Sequence, residues 1–111
     1  MATTVYKDAQ VVGTSSTSTY STLYSTGGAT TAVVSSIIVA NEAASAVTIR
    51  IGLAASATTP ASGAFLVYDR TVPANDTLIL NFPIALGNTK FIRCSSSAIT
   101  TSFTAAVAEI S

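Results

Sequence analysis

The sequence contains no histidine and no tryptophan, and Cys94 is its single cysteine. General acid–base catalysis commonly uses histidine or paired carboxylates, and a cysteine nucleophile needs a base beside it. One cysteine without histidine can form neither an intrachain disulfide nor a zinc site. Cys94 occupies an inward position of an alternating segment, so we expect a buried structural thiol. We therefore predict no catalytic residue, no metal site and no cofactor.

Charge is also scarce, since only 9% of the residues are charged and the formal net charge is zero. Soluble domains usually carry about a quarter charged residues, so this surface must consist largely of serine, threonine and alanine. The five basic residues are scattered, whereas nucleic-acid binding needs clustered lysine and arginine. We expect no nucleic-acid partner and a surface suited to packing against other protein.

The five acidic residues are scattered as well, and only Asp69 and Asp76 flank one turn. A catalytic pair or a weak calcium site at these two residues is the remote alternative, because calcium requires several oxygen ligands. The simpler interpretation places Asp69 beside Arg70 at the end of a strand. Asp76 then hydrogen-bonds to backbone amides of the turn.

The chain has 111 residues, which is the size of one domain. Its apolar residues are mostly alanine, valine and isoleucine, so we predict a thin core and a lone protomer of marginal stability that gains burial as a homo-oligomer. Residues 1–4 do not resemble a signal peptide. No stretch approaches the roughly 20 apolar residues of a membrane span. We expect synthesis in a cytoplasm and no membrane partner.

Apolar residues recur with period two, which indicates strands rather than helices. Residues 47–53 place Val47, Ile49, Ile51 and Leu53 inward and Arg50 outward. Residues 32–41 are apolar on both faces, which favours a central strand or one covered by a neighbouring subunit. The polar residues 41–45 then predict a hairpin between these two strands.

Further strands are predicted at residues 64–71, 76–84, 90–95 and 99–110, separated by turn residues. In the second of these, Leu78, Leu80, Phe82 and Ile84 share one face. Pro83 ends that strand or places it at a sheet edge. Residues 54–63 are small and polar and predict an exposed loop without chemistry. The pattern as a whole predicts an all-β fold, an antiparallel β-sandwich of the jelly-roll or immunoglobulin-like type.

The first 19 residues differ in character from residues 20–111, which we assign to the β-sandwich domain. They contain two short apolar groups followed by a hydroxyl-rich run. Either they form an arm that orders on a partner, or they form a first strand and a loop. Tyr20 and Tyr24 are four residues apart, which in a regular strand places both on one face. The predicted partner contacts are Val5, Tyr6, Val11, Val12, Tyr20 and Tyr24.

Six runs carry a resemblance that covers roughly residues 20–110, and they lie at 22–26, 33–41, 48–51, 66–69, 72–78 and 102–110. Together they resemble a small β-domain family of tailed-phage genomes. It implies a structural component of the virion, assembled in the host cytoplasm. The segment before residue 20 is not covered.

Three functions from different classes follow. The favoured one is a capsid cement or decoration protein, a homo-oligomer that binds the major capsid protein or another virion protein. The second is a component of the tail, collar, baseplate or fibre that binds the host surface. Exposed aromatic residues near the loop 54–63 would favour carbohydrate binding there, but the loop itself contains none, and the first one after it is Phe65. A small hydrolase is the third and is remote.

Overall fold

A computed structural model describes residues 3–28, 30–81 and 83–110 of the chain. Across these residues the chain forms nine β-strands and no helix, so no helix is present that could cross a membrane. The strands are β1 (Thr4–Val12), β2 (Ser21–Ser25), β3 (Thr31–Asn41), β4 (Val47–Ala54), β5 (Phe65–Val72), β6 (Thr77–Leu80), β7 (Ile84–Leu86), β8 (Phe91–Ser96) and β9 (Thr101–Ile110).

The strands form two antiparallel sheets that enclose one core. Sheet I has the order β1-β9-β3-β6, and β7 also pairs with β3, beside the part of that strand that β6 leaves free. Sheet II has the order β2-β8-β4-β5. This arrangement confirms the predicted all-β fold, an antiparallel β-sandwich.

The interior is built from the alternate residues of facing strands. Val47, Ile49 and Ile51 of β4 are buried as predicted, and Ile37 of β3 and Phe103 of β9 lie opposite them in sheet I. Most other buried apolar side chains are also valine, isoleucine or leucine. β-Branched residues suit this position because their stiff side chains pack well on a pleated surface.

The predicted hairpin between β3 and β4 is wrong, because β3 belongs to sheet I and β4 to sheet II. The connection crosses from one layer to the other around the buried Asn41. The Asn41 side-chain amide donates to the carbonyl oxygens of Ser45 (2.9 Å), Pro73 (3.1 Å) and Val72 (3.3 Å), and its Oδ1 accepts from the Ala43 amide at 3.0 Å. One side chain thus satisfies the backbone groups of the turn. Buried and exposed residues alternate in both strands because the two strands line the same core from opposite sides.

A β-bulge in β2 separates two tyrosines that the sequence placed on one face. The pairing of β2 with β8 slips by one residue between Thr22 and Tyr24, and both Leu23 and Tyr24 are buried. An extra residue in one strand reverses the side to which the following side chains point. Tyr24 therefore enters the core, whereas Tyr20 lies on the outside of sheet II.

The strand predicted at residues 76–84 is divided into β6 and β7, both of which pair with β3. Pro83 lies between them and cannot donate to a ladder, as expected for a residue at a strand end. Leu80 and Ile84 are buried and Leu78 packs against the core, so these three face inward as predicted. Phe82, the fourth residue predicted on that face, lies outside the described residues.

Residues 4–12 form β1, which pairs with β9 along its whole length. The chain then turns at Gly13, whose amide donates to the Thr101 carbonyl at 2.6 Å. A Cβ at Gly13 would lie 2.2 Å from the Ser96 hydroxyl, so only glycine fits. The hydroxyl-rich run that follows begins with Thr14, which is buried against Ser96. Residues 15–19 form the turn that leads to sheet II.

Candidate assembly interface

The single thiol lies inside the sandwich. Cys94 is 1% exposed, and burial raises its pKa to about 12, with a smaller opposing effect from the charge of Arg93. At neutral pH it is protonated and unreactive. The described residues contain no group of three or more histidine, cysteine, aspartate or glutamate side chains that could hold a metal ion. The site that the structure does offer is a surface.

The outer face of sheet I is defined by side chains that point away from the core. Residues directly opposite each other in an antiparallel ladder share a face, so the register gives continuous rows across the sheet. Two such rows are Tyr6-Ala108-Val33-Ala85 and Gln10-Thr104-Ile38-Ile79. Asp8-Ala106-Ser36 lies between them, and Val12-Ser102-Ala40-Thr77 lies at one end.

This face combines large exposed apolar side chains with small ones. Tyr6 is 82% exposed, and Val12 and Ile79 are about 60% exposed, at 62% and 58%. Ile38 lies directly opposite Ile79, so the two form an apolar pair on the surface. Among the described residues of these rows, Asp8 is the only charged one. Large exposed apolar side chains on a face with a single charge make it a candidate interaction surface.

The size of the face approaches one partner's share of a standard protein interface. With strands about 4.8 Å apart and a rise of about 3.4 Å per residue, four strand positions and ten residues cover about 650 Å². A standard interface buries about 800 Å² on each partner. At the end nearest Val12, a shallow hollow of about 690 Å³ is lined by Gln10, Val11, Val12, Ser102 and Thr104.

Two of the predicted contact residues, Tyr6 and Val12, lie on this face. Val5 is also exposed, but it points to the opposite side of β1. Val11 is partly buried and packs against the core. Tyr20 lies on the outer side of sheet II, near Phe65.

Tyr24 is 7% exposed, so it packs inside the protein rather than on its surface. Its hydroxyl donates a hydrogen bond to Glu109 Oε2, and Lys7 Nζ lies 3.2 Å from Glu109 Oε1. These contacts tie β1, β2 and β9 together at one end of the sandwich. The hydrogen bond from Tyr24, followed by the one from Lys7, lowers the pKa of Glu109. Burial, followed by the hydrogen bond to Glu109, raises the pKa of Tyr24.

Val33, Ile38 and Ile79 were not among the predicted contacts. The sequence did indicate that residues 32–41 are apolar on both faces. That pattern favoured either a central strand or a strand covered by a neighbouring subunit. The structure shows a central strand, paired with β9 on one side and with β6 and β7 on the other. Its outward apolar residues remain exposed in the single chain.

No protein-family model matches the chain, and no curated protein matches it. Solved structures do. A chain of the acid-stable capsid of the Helicobacter pylori bacteriophage KHP30 matches with a TM-score of 0.55 and 11% identity, over 100% of this chain and 94% of that one. A chain of the T13 viral particle of IBDV matches with a TM-score of 0.54 and 8% identity, over 99% of this chain and 30% of that one.

A pentameric capsid protein from metagenomic phage sequences matches with a TM-score of 0.47 and 17% identity, over 92% of this chain. This chain spans 59% of the length of that protein. At these identities, the matches to the KHP30 and IBDV chains show a shared fold.

Proposed function

We propose that the protein is a structural component of a phage virion, and specifically a cement or decoration protein of the capsid. The observation that carries the proposal is the outer face of sheet I, which is broad, almost free of charge and carries the exposed side chains of Tyr6, Val12, Val33, Ile38 and Ile79. Such a face is costly to leave in water and is stabilised when another protein covers it.

The similarity to the KHP30 capsid chain supports a virion protein of this size. That match covers 94% of its chain and all of this one, so the two chains are of nearly equal length. A domain of this size with a thin core is suited to binding on a shell built by a larger protein. The major capsid protein is therefore the partner we assign to the outer face of sheet I.

Strand β1 supports a second contact, between copies of the protein. It lies at the open edge of sheet I, with β9 on one side and no strand of the described residues on the other. An edge strand leaves backbone N–H and C=O groups available for pairing with another chain. A second copy that pairs antiparallel with β1 about a two-fold axis would extend sheet I across both copies and keep their two outer faces on one side. We infer a homo-oligomer joined through β1.

Binding to emptied heads of the phage that carries this protein tests the proposal. Ile38→Glu places a carboxylate in the centre of the face. Loss of a central contact costs about 2 kcal/mol or more, so we expect binding to weaken at least about thirtyfold. Ile99→Glu is the matched control, because Ile99 is 64% exposed in the turn before β9 and lies outside the rows of the face.

Cosedimentation measures the affinity for heads, and sedimentation velocity measures the oligomeric state. Equal effects of the two variants would exclude the outer face of sheet I as the contact. Immunogold labelling confined to tails would overturn the capsid assignment and favour the tail, collar, baseplate or fibre.

A further inference from the structure

A groove of about 490 Å³ lies on the outer side of sheet II, on the side of the sandwich opposite to the apolar face. Its volume is within the roughly 300–1,000 Å³ of small-molecule sites. The walls are formed mainly by Tyr20, Arg50, Pro60, Gly63, Phe65 and Tyr68. These residues come from three separate parts of the chain, and the loop that the sequence indicated as devoid of chemistry supplies one wall.

Two packing features hold the loop 54–63 against sheet II. Pro60 is buried against Gly52 of β4, where an added Cβ would lie 2.8 Å from the proline ring. Arg93 donates to the Thr58 carbonyl and to the Tyr20 carbonyl, both at 3.1 Å. The loop and the tyrosine are thus fixed to the same strand side chain, and the groove is formed before any ligand binds.

Three aromatic rings lie next to one another along the groove. The Phe65 and Tyr68 rings are 4.9 Å apart in an edge-to-face arrangement, and the Tyr20 ring is 6.2 Å from that of Phe65. Tyr68 is 57% exposed, so much of its ring is open to solvent. Isolated exposed tyrosines are common, but three rings converging on one concave surface form a stacking platform.

An ion pair borders the platform. Arg50 Nε donates to Asp69 Oδ1 at 2.6 Å, Nη2 donates to Oδ2 at 3.3 Å, and the guanidinium carbon lies 4.2 Å above the Tyr68 ring. Asp69 adopts a left-handed φ of 55°, rare for a residue other than glycine, where the pairing of β4 with β5 is irregular. Asp69 therefore pairs with Arg50, whereas the sequence analysis placed it beside Arg70.

The chemistry of these groups selects a class of ligand. A pyranose ring has an apolar face of C–H groups that stacks on aromatic rings, and its hydroxyls accept from guanidinium and donate to carboxylate. The mutual neutralisation of Arg50 and Asp69 disfavours a phosphate or another anion. The polar border disfavours a purely apolar ligand. We propose that this groove binds a neutral hexopyranose unit of a glycan.

This site extends the proposed function rather than restating it. A domain that lies on the capsid through sheet I directs the outer side of sheet II away from the shell, where a surface glycan of a host cell can reach it. That orientation rests on the proposed function. The binding of sugar by the free protein does not, so the two can fail separately.

Titration of the isotope-labelled protein with methyl glycosides of glucose, galactose, mannose and N-acetylglucosamine, followed by NMR, tests the proposal. We expect saturable shifts for at least one glycoside, confined to the amides of Gly63, Phe65, Tyr68 and their neighbours. Tyr68→Ala should weaken binding about tenfold by removing the exposed ring, whereas Tyr68→Phe should retain it within a factor of about three.

Tyr6→Ala is the matched control, because it removes an exposed tyrosine from the other face of the molecule. Tyr6→Ala should leave sugar binding unchanged and weaken binding to heads. Tyr68→Ala should weaken sugar binding and leave binding to heads unchanged. The absence of saturable shifts with all four glycosides would overturn the proposal. So would equal affinities of Tyr68→Ala and the unmodified protein. Neither result would alter the expected binding to heads.

Discussion

The substitution Thr14→Val tests how the first strand is joined to the sandwich. Thr14 and Ser96 exchange hydrogen bonds between backbone and side chain in both directions. The Thr14 amide donates to Ser96 Oγ at 2.9 Å, and the Ser96 amide donates to Thr14 Oγ1 at 2.9 Å. Thr14 Oγ1 also lies 3.0 Å from the Ser96 carbonyl oxygen, and Ser96 is fully buried. Valine preserves the shape of the side chain and removes only its hydrogen bonds.

The magnitude follows from the groups left without a partner. A buried backbone N–H that loses its acceptor costs about 1–3 kcal/mol, and the second lost bond adds about 1 kcal/mol. We therefore expect the free energy of unfolding to fall by about 2–4 kcal/mol, a large part of the roughly 5–15 kcal/mol of a typical domain.

Urea unfolding followed by circular dichroism measures this change. The slope of the free energy of unfolding against urea concentration should be the same in the variant and in the unmodified protein. Thr19→Val is the control, because Thr19 is exposed in the turn that follows. A difference between the two variants of less than about 0.5 kcal/mol would refute the reasoning, because surface substitutions have effects of that size.

Three further predictions concern the core and the loop. Tyr24→Phe should raise the pKa of Glu109 in an NMR titration, because the hydroxyl that lowers it is lost. A lowered pKa of Glu109 stabilises the folded protein above the ordinary carboxyl pKa, and this stabilisation is lost as the pH falls through the pKa of the folded state. The variant should therefore lose less stability on acidification than the unmodified protein. Gly52→Ala should cost about 1–3 kcal/mol by overpacking against Pro60 and should speed proteolysis of the loop. Cys94 should react with a thiol reagent only as the protein unfolds, and rapid labelling of the native state would contradict its burial.

Strand positions could be predicted because alternation is a local signal. Val47, Ile49 and Ile51 alternate with polar neighbours, and each is buried. The partner of a strand could not be predicted in this way. The residues 41–45 look like a hairpin turn, since nothing in their sequence shows that the Asn41 amide reaches carbonyls near residue 72. Long-range contacts of one side chain decide between a hairpin and a crossing.

The surfaces were predicted only in part for the same reason. Tyr6 was identified as a contact because it precedes the body of the domain, but Ile38 and Ile79 become neighbours only through the register of β3 and β6. The bulge in β2 sends Tyr20 and Tyr24 to different sides. The aromatic groove was missed because Tyr20 lies more than forty residues from Phe65 and Tyr68 in the sequence, and only the fold brings the three rings together.

A cryo-electron microscopy reconstruction of emptied heads incubated with the protein tests the central claim most directly. We expect small domains on the outside of the shell, with sheet I against the major capsid protein and with Ile38 and Ile79 within contact distance of it. The groove beside Tyr68 should face the solvent. Density in which sheet II lies against the shell, or density found only on the tail, would contradict the assignment of the outer face of sheet I.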